Sequence, residues 1–444
     1  MIQRTINNIV DTFYNIIEYP DYITSVMVGP SEDPSKNGKI CVKVTASEIS
    51  QITNETKNIN EIIGYLPSSF IYNGITYEVE VRYGIHKKLT CQEDYPEFYY
   101  WQSGIVTNRN VHRPVIGGIS ITNYTDLSNS RGTFGFTAID NDTNSVVGVT
   151  NLHVIIKDGF YASERDVSQP WYPIENSANA IVTQPNETTQ GLSYRIGEVK
   201  KYQPLISAGS TSTVGVNKID SATFSLDLVN GQGDTITSTE SYKQLGFESF
   251  NGGNGFDFAT SEEIDSIISV DSLGNITTNN QLFISSRTTG IKGNGDMKIF
   301  PVGQGSVYLG YNKQNITSFV QVTECFSFVA ATGATDAING NTCPYPAAPG
   351  DSGSAVIADF NGEYKIVGQL FAGYTVDGVM VEGLFCRIDN IAELLNISPW
   401  NSSVTSYNFS DTSQTEFHYV EGLSDQKTLT LSGKTFWQVG IDFI

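Results

Sequence analysis

The sequence carries little positive charge. Its 444 residues include 26 Lys and Arg against 47 Asp and Glu, which gives a formal net charge of −21 at pH 7. Proteins that bind nucleic acids present basic patches to the phosphates, and the sequence contains no such patch. We therefore expect no nucleic-acid partner and a surface that repels anionic molecules in general.

Cysteine is also scarce and shows no paired spacing. The five cysteines, Cys41, Cys91, Cys325, Cys343 and Cys386, contain no Cys-x-x-Cys pattern. This spacing argues against a structural zinc site and against a disulfide framework, while a single Cys325–Cys343 bridge stays open. We expect neither a metal nor another cofactor.

Long hydrophobic runs are absent as well. No apolar run approaches the length of a membrane-spanning helix. Residues 1–22 carry acidic and polar side chains where a signal peptide needs an uninterrupted apolar core. We expect a soluble protein with no signal peptide and no membrane partner, located in the cytoplasm or carried within a particle or larger assembly.

The chain begins with a segment of mixed pattern, which we interpret as an α/β module over residues 1–105. Apolar residues at helical spacing alternate there with β-rich segments, and Asn73-Gly74 is the dipeptide favoured in two-residue hairpin turns. The segment contains nothing resembling an active site. The predicted elements are a helix over 3–18, strands at 23–29 and 39–46, a helix over 47–66 with Ser47 as its cap, and a hairpin over 70–81.

The pattern changes over residues 106–398. Short apolar segments such as GTFGFTAI, SVVGVTNL and GSAVIADF recur between Gly, Asn and Asp turns. Evenly spaced strands with little helix between them predict a mainly β fold of barrels or sandwiches. The predicted units are a first barrel over about 112–230, a connection over about 231–280, a second barrel over about 281–398 ending in a helix at 388–397, and a β-rich extension over 399–444.

The stretch GDSGS around Ser352 suggests a nucleophile. A serine hydroxyl becomes reactive when a histidine accepts its proton and an acid orients that histidine. The chain has four histidines, and His153 alone directly follows a strand-like apolar run, VVGVTNLHVI. We interpret the other three, His86, His112 and His418, as solvated or structural.

Asp220 is the candidate acid, because it opens the strand-like segment IDSATFSL. Asp140, Asp142 and Asp158 lie nearer to His153 in sequence but have the pattern of turn residues. A sharp turn at Ser352 would direct the amides of Gly350 and Ser352 at one point, as in an oxyanion hole. The alternative is a plain hairpin turn in a chain that contains 41 glycines.

These motifs together resemble the chymotrypsin/trypsin-like serine proteases, and more closely the divergent bacterial trypsin-like proteins related to the plant narrow-leaf protein. The matching motifs follow one order: YNGITYEVEV, RPVIGGISI, GTFGF, TNLHVI, IGEVKKY, IDSATFSL, SRTTG and APGDSGS. The resemblance implies a chymotrypsin-like double β-barrel, preceded by the α/β module and followed by the β-rich extension. It also implies His153 as base, Asp220 as orienting acid and Ser352 as nucleophile, and places Arg287 and Thr288 in a loop near the site.

The same resemblance indicates where a substrate would lie. In trypsin-like folds the residue six before the nucleophile lies at the base of the primary pocket, and here it is Pro346. No acid is present there to bind Arg or Lys, so we expect apolar or small residues at P1. An extended peptide would pair with the strand that contains Phe371, Ala372 and Gly373, and Gly373 would leave the pocket wall open.

Three hypotheses follow from the sequence. The first is a serine endopeptidase with a protein or peptide substrate. The second is a structural or interaction protein of a larger assembly, for example a phage particle, that uses a protease-like fold as a scaffold or for self-processing. The third is a latent protease that a partner opens. Any assembly partner is expected to bind through residues 1–105 or 399–444.

Overall fold

A computed structural model of the chain describes most of the residues up to 409. The described residues are 2–31, 33–36, 39–50, 53, 55–83, 85–88, 108, 110–123, 131–156, 181–185, 194–202, 205, 217–230, 233–270, 276–278, 281–293, 299–313, 316–330, 345–376, 379–409 and 418–419. The strand-like segment KTLTLSGKTFWQVGIDFI of the predicted β-rich extension, residues 427–444, lies outside them, and so does Asp158.

The elements are mostly strands. The α-helices are α1 (Ile2–Tyr14), α2 (Ile59–Gly64), α3 (Leu152–Ile155), α4 (Ser261–Ile267) and α5 (Ile388–Leu395). The strands are β1 (Ile23–Pro30), β2 (Ile40–Ala46), β3 (Ser69–Tyr72), β4 (Ile75–Tyr83), β5 (Ile85–Lys88), β6 (Ser120–Asn123), β7 (Arg131–Thr133), β8 (Phe136–Asp140), β9 (Ser145–Thr150), β10 (Ile181–Thr183), β11 (Arg195–Tyr202), β12 (Ala222–Ser225), β13 (Asp257–Phe258), β14 (Ile268–Val270), β15 (Ile276–Thr278), β16 (Leu282–Ser286), β17 (Gly290–Lys292), β18 (Ile299–Lys313), β19 (Ile316–Ala330), β20 (Ala355–Phe360), β21 (Glu363–Val376), β22 (Val379–Arg387), β23 (Ile397–Pro399), β24 (Asn408–Phe409) and β25 (His418–Tyr419).

Within the described residues, the first sheet has ten strands. Their order is β23-β8-β9-β12-β11-β10-β6-β7, with β24 beside β9 and β25 beside β11. Phe224 on β12 lies over Gly148 on the neighbouring strand, and a Cβ atom at Gly148 would come within 2.3 Å of its ring. The ring also packs against Phe134 at 5.4 Å between centroids. The missing side chain at Gly148 therefore makes room for the aromatic core of this sheet.

The second sheet has thirteen strands in the part of the chain that the structure describes. Their order is β17-β16-β20-β21-β22-β19-β18-β1-β2-β4-β3, and β13 and β5 both pair with β21. β1 joins β18 in antiparallel register, with Ser25 opposite Val307. The amino-terminal strands therefore extend the same sheet that carries the carboxyl-terminal strands. The hairpin turn predicted at Asn73-Gly74 is present, with both residues at positive φ.

The opening helix is confirmed, while the second predicted helix is wrong. In α1, the residues at helical spacing (Ile6, Ile9, Val10 and Phe13) are all buried. Among the described residues of 47–66, only α2 is an α-helix. Its cap is Asn58, whose side chain accepts from the Asn60 amide at 2.9 Å. Ser50 interrupts the rest, because its hydroxyl accepts from the Thr53 amide and donates to Asp21, at 2.9 Å each. Such local side-chain bonds compete with a helix.

The described part of the second half of the chain contains two α-helices. The helix predicted at 388–397 is confirmed as α5, which ends at Asn396 in the left-handed conformation with φ of 50°. The region interpreted as a connection contains α4, which the sequence interpretation missed. Thr260 and Glu263 form a reciprocal capping box at its start, and the pattern Thr-x-x-Glu was the available signal.

The mainly β fold class is confirmed, with two large sheets whose buried residues form one continuous apolar core. Cys325 is a free thiol whose sulfur lies 3.3 Å from the Gly305 carbonyl, and Cys343 lies outside the described residues. Within the described part of the chain, no helix combines the length and the apolar character needed to cross a bilayer.

Candidate functional site

Three separate segments place His153, Asp220 and Ser352 together. His153 lies in the single-turn helix α3, directly after β9. Asp220 lies two residues before β12, which pairs with β9 so that Ala222 is opposite Thr150. Ser352 lies in the turn that precedes β20 of the second sheet. Two neighbouring strands of the first sheet thus supply the imidazole and the carboxylate, and the second sheet supplies the hydroxyl.

The three side chains form a continuous hydrogen-bonded chain. Nδ1 of His153 lies 2.5 Å from Oδ2 of Asp220, and Nε2 lies 2.9 Å from Oγ of Ser352. The backbone amide of His153 also donates to Oδ1 of Asp220 at 3.2 Å. All three residues are buried. With Nδ1–H donating to the carboxylate, Nε2 is the acceptor that faces the serine hydroxyl.

The Ser352 turn depends on left-handed glycines. Gly350 has φ of +96° and Gly353 has φ of +97°, a region that favours glycine. A Cβ atom at Gly350 would also lie 2.5 Å from Oγ1 of Thr288. Among the described residues, neither the Gly350 amide nor the Ser352 amide has a hydrogen-bond partner. Two N–H groups are therefore available beside the hydroxyl.

The Asp351 carboxylate fixes this turn. It is fully buried and accepts four hydrogen bonds. Oδ1 accepts from the backbone amides of Thr288 and Thr289 at 2.9 and 3.0 Å. Oδ2 accepts from the Thr289 hydroxyl at 2.6 Å and from the Ala348 amide at 2.9 Å. The segment Ser286–Gly290 thus lies against the Ser352 turn and holds it through this acid. Its Thr288 hydroxyl also donates to the Pro349 carbonyl at 2.7 Å.

Two bonds from Thr133 join the first sheet to the same turn. Its amide donates to the Ser352 carbonyl at 2.7 Å, and its hydroxyl donates to the Gly350 carbonyl at 2.9 Å. The strand β7, which ends at Thr133, therefore aligns the nucleophile with the sheet that carries His153.

The other acids and histidines have different positions. Asp140 and Asp142 both bind the buried Lys201 ammonium, Asp140 at 2.6 Å and Asp142 at 2.5 Å. The amide of His112 donates to the Gln184 side chain at 3.1 Å. His86 and His418 lie in strands whose side chains are outside the described part. Asp140 and Asp142, the described acids near His153 in sequence, thus form ion pairs with Lys201.

A thiol next to the site, Cys386, stays protonated. Burial raises the pKa of the Cys386 thiol well above its ordinary value, and the negative charge of Asp220 raises it further. A thiolate is the reactive form of cysteine. Cys386 is therefore a packing residue, and it is the Ser352 hydroxyl that bonds to Nε2 of His153.

The residues predicted to bind substrate are also at this junction. The Phe371 carbonyl accepts from Ser352 Oγ at 3.2 Å. Ala372 and Gly373 follow on β21 and are buried, and a Cβ atom at Gly373 would meet the sulfur of Met380 at 2.0 Å. Gly373 thus leaves space that a neighbouring methionine fills, which differs from the open wall predicted there. Pro346 is buried at the start of the Ser352 turn.

Comparison with known proteins gives a limited result. No protein-family model matches the chain, and no curated protein matches it. One similar solved structure is a glutamic acid-specific serine protease, with a TM-score of 0.33 and 12% identity over 64% of this chain and 100% of its own. Thermobifida fusca protease A gives 0.30 and 12% over 65% and 98%, and Cellulomonas bogoriensis chymotrypsin gives 0.30 and 15% over 64% and 98%.

Asp351→Asn tests whether the Asp351 carboxylate stabilises the Ser352 turn. An amide keeps one accepting oxygen and replaces the other with a donor, so two of the four buried donors lose their acceptor. We expect the free energy of unfolding to fall by about 2–6 kcal/mol, measured by urea denaturation. Asp359→Asn is the control, because Asp359 uses one oxygen only, for the Gly362 amide. Equal stability of the two variants would contradict the role assigned to Asp351.

Proposed function

We propose that this protein is a cofactor-free serine endopeptidase, which hydrolyses peptide bonds through an acyl-enzyme intermediate. The observation that supports it most is the hydrogen-bonded chain from Asp220 through His153 to Ser352. It lies beside the Gly350 and Ser352 amides, for which the described part of the chain offers no hydrogen-bond partner. Each group has the type, the burial and the distance that this chemistry needs.

The reaction begins with proton transfer from Ser352 to Nε2 of His153. Oγ then attacks the substrate carbonyl carbon, and the carbonyl oxygen gains negative charge. The amides of Gly350 and Ser352 donate to that oxygen. The Asp220 carboxylate stabilises the imidazolium formed and holds its orientation through Nδ1.

The second half of the reaction returns the proton. His153 donates it to the leaving amine, and the peptide bond breaks to leave an ester on Ser352. Water, deprotonated by the same imidazole, then hydrolyses the ester. The hydrogen-bonded pair of His153 and Asp220 thus acts as a base towards Ser352 and water, and as an acid towards the leaving amine.

An extended peptide substrate is expected on β21. Its backbone would pair with the strand at Phe371–Gly373, as peptides add to a sheet edge. The residues at the start of the Ser352 turn, Pro346, Ala347 and Ala348, carry no charge, and Met380 adds an apolar surface beside Gly373. This lining supports apolar or small side chains at P1.

Ser352→Ala tests the nucleophile. We expect complete loss of covalent labelling by a fluorophosphonate, because the reagent bonds only to an activated serine. Ser306→Ala is the matched control, since Ser306 is a buried serine of β18 far along the chain from the turn. Mass spectrometry of intact protein gives the extent of labelling. Labelling of Ser352→Ala to the extent of the parent would rule out this serine.

A peptide library tests the P1 preference. We expect cleavage after apolar or small residues, with at least about tenfold lower kcat/KM after Arg or Lys, because one unpaired buried charge costs more than 1.4 kcal/mol. Sequencing of the cleavage products gives the profile. A profile dominated by Arg or Lys would refute the preference while leaving the triad proposal standing.

A further inference from the structure

Gln369 lies where the three triad segments meet. It belongs to β21 and is fully buried. Its Oε1 accepts from the Ser221 hydroxyl at 2.6 Å and from Nδ2 of Asn151 at 3.2 Å. Its Nε2 donates to the Gly353 carbonyl at 3.1 Å. One side-chain amide thus contacts three segments that are far apart in sequence.

Each of these partners adjoins a member of the triad. Ser221 follows Asp220, Gly353 follows Ser352, and Asn151 precedes His153 by two residues. Nδ2 of Asn151 also donates to the Asp220 carbonyl at 2.6 Å. The position of the acid relative to the base therefore depends on the same small network.

The network requires a neutral amide of this length. A carboxylate has no donor for the Gly353 carbonyl and would bring a second negative charge towards Asp220. An apolar side chain would leave the Ser221 hydroxyl and the Gly353 carbonyl without the bonds described. Gly135 provides the space, since a Cβ atom there would lie 3.0 Å from Nε2 of Gln369.

We infer that Gln369 is a positioning residue, which sets the mutual placement of Asp220, His153 and Ser352 through the three segments that it binds. The inference rests on the proposed function. Gln369 does not touch the reacting atoms, so its effect is on alignment in the transition state more than on substrate binding. Small misplacements of catalytic groups reduce rates by up to about 100-fold.

Gln369→Leu and Gln369→Met test this role, because both keep the volume and remove the hydrogen bonds. We expect kcat per labelled site to fall about 10–100-fold, with KM within about threefold of the parent. Normalising to fluorophosphonate-labelled sites removes the effect of unfolded protein. The control is Gln304→Leu, since Gln304 is a buried glutamine of β18 that bonds to Asn7 of α1.

A second measurement does not need turnover. The Nδ1 proton of His153, shared with Asp220, gives a low-field proton resonance that we expect in the parent and in Gln304→Leu. Loss or displacement of that resonance in both Gln369 variants would support the inference. An unchanged resonance, or kcat equal to that of Gln304→Leu, would overturn it. Loss of turnover in the parent with the resonance present would count against the proposed function and not against the network.

A different observation concerns β5. This strand pairs antiparallel with β21, with Lys88 opposite Ala372, Lys87 opposite Gly373, and Ile85 opposite Thr375. The opposite edge of the same stretch pairs with β22. Both edges of β21 are thus taken, including the positions where a substrate backbone is expected.

The residues just before β5 anchor it. The Tyr374 hydroxyl donates to the Tyr83 carbonyl at 2.9 Å. The Arg82 guanidinium lies 2.5 Å from the Glu382 carboxylate, with both side chains more than nine-tenths buried, and it stacks 4.2 Å from the Tyr374 ring centroid. Ion pairs buried to this extent are lost only at substantial cost.

We propose that β5 is an intramolecular occupant of the substrate edge, which a substrate must displace before it pairs with β21. The proposal rests on the proposed function and names the partner of that edge as a segment of the same chain. One edge of a strand accepts one partner at a time. Peptide turnover is therefore coupled to release of β5.

A disulfide between β5 and β21 tests this. Opposite residues of antiparallel strands have Cα atoms about 4.5–5.5 Å apart, within the range that a disulfide spans. We expect oxidised Ile85→Cys/Thr375→Cys to hydrolyse peptides at least about tenfold more slowly than the same protein after reduction. Thr375→Cys alone is the control and is expected to show no such difference.

Covalent labelling distinguishes failure of the β5 proposal from failure of the proposed function. A small fluorophosphonate needs Ser352 and His153 but not the strand edge, so both redox forms are expected to label equally. Equal labelling with equal peptide turnover in the two forms would overturn the occupancy of the edge by β5. Absence of labelling in both forms would overturn the proposed function, and the competition proposed for β5 with it.

Discussion

The backbone hydrogen bond from the Thr133 amide to the Ser352 carbonyl joins the two sheets where the three candidate catalytic residues meet. His153 and Asp220 belong to the first sheet, and their mutual placement follows from the pairing of β9 with β12. Ser352 belongs to the second sheet, so nothing within either sheet alone sets its distance from the imidazole. The Thr133 bonds and the Gln369 amide supply that constraint.

The junction is unusually polar for a protein interior. Asp220, Asp351, Arg287 and Gln369 are all buried there, and burial of such groups is unfavourable unless each is hydrogen-bonded. The four bonds to Asp351 satisfy this condition for the turn, and the Ser221, Asn151 and Gly353 bonds satisfy it for Gln369. A polar network of this kind specifies one geometry, because alternative packings leave buried groups without partners.

The sequence predicted the residues with distinctive chemistry better than the contacts between them. His153, Asp220 and Ser352 stood out because the chain has few histidines and one GDSGS stretch. Gln369 gave no signal, since a lone glutamine in GQLFAG fits an ordinary strand. β5 gave none either, because its pairing with β21 connects distant parts of the chain. The helix predicted over 47–66 failed at Ser50, where local side-chain bonds decide the backbone, whereas α4 carried a readable capping box.

The pairing of β1 with β18 has a consequence for how the molecule is made. Ser25 leaves the ribosome long before Val307, its partner across the sheet. Until β18 is synthesised, the edge of β1 is an unpaired template for other strands. Non-local pairing of this kind slows folding. The nascent chain must therefore protect its amino-terminal strands through most of translation, and a pause or truncation before β18 would leave the edge of β1 open to pairing with other chains.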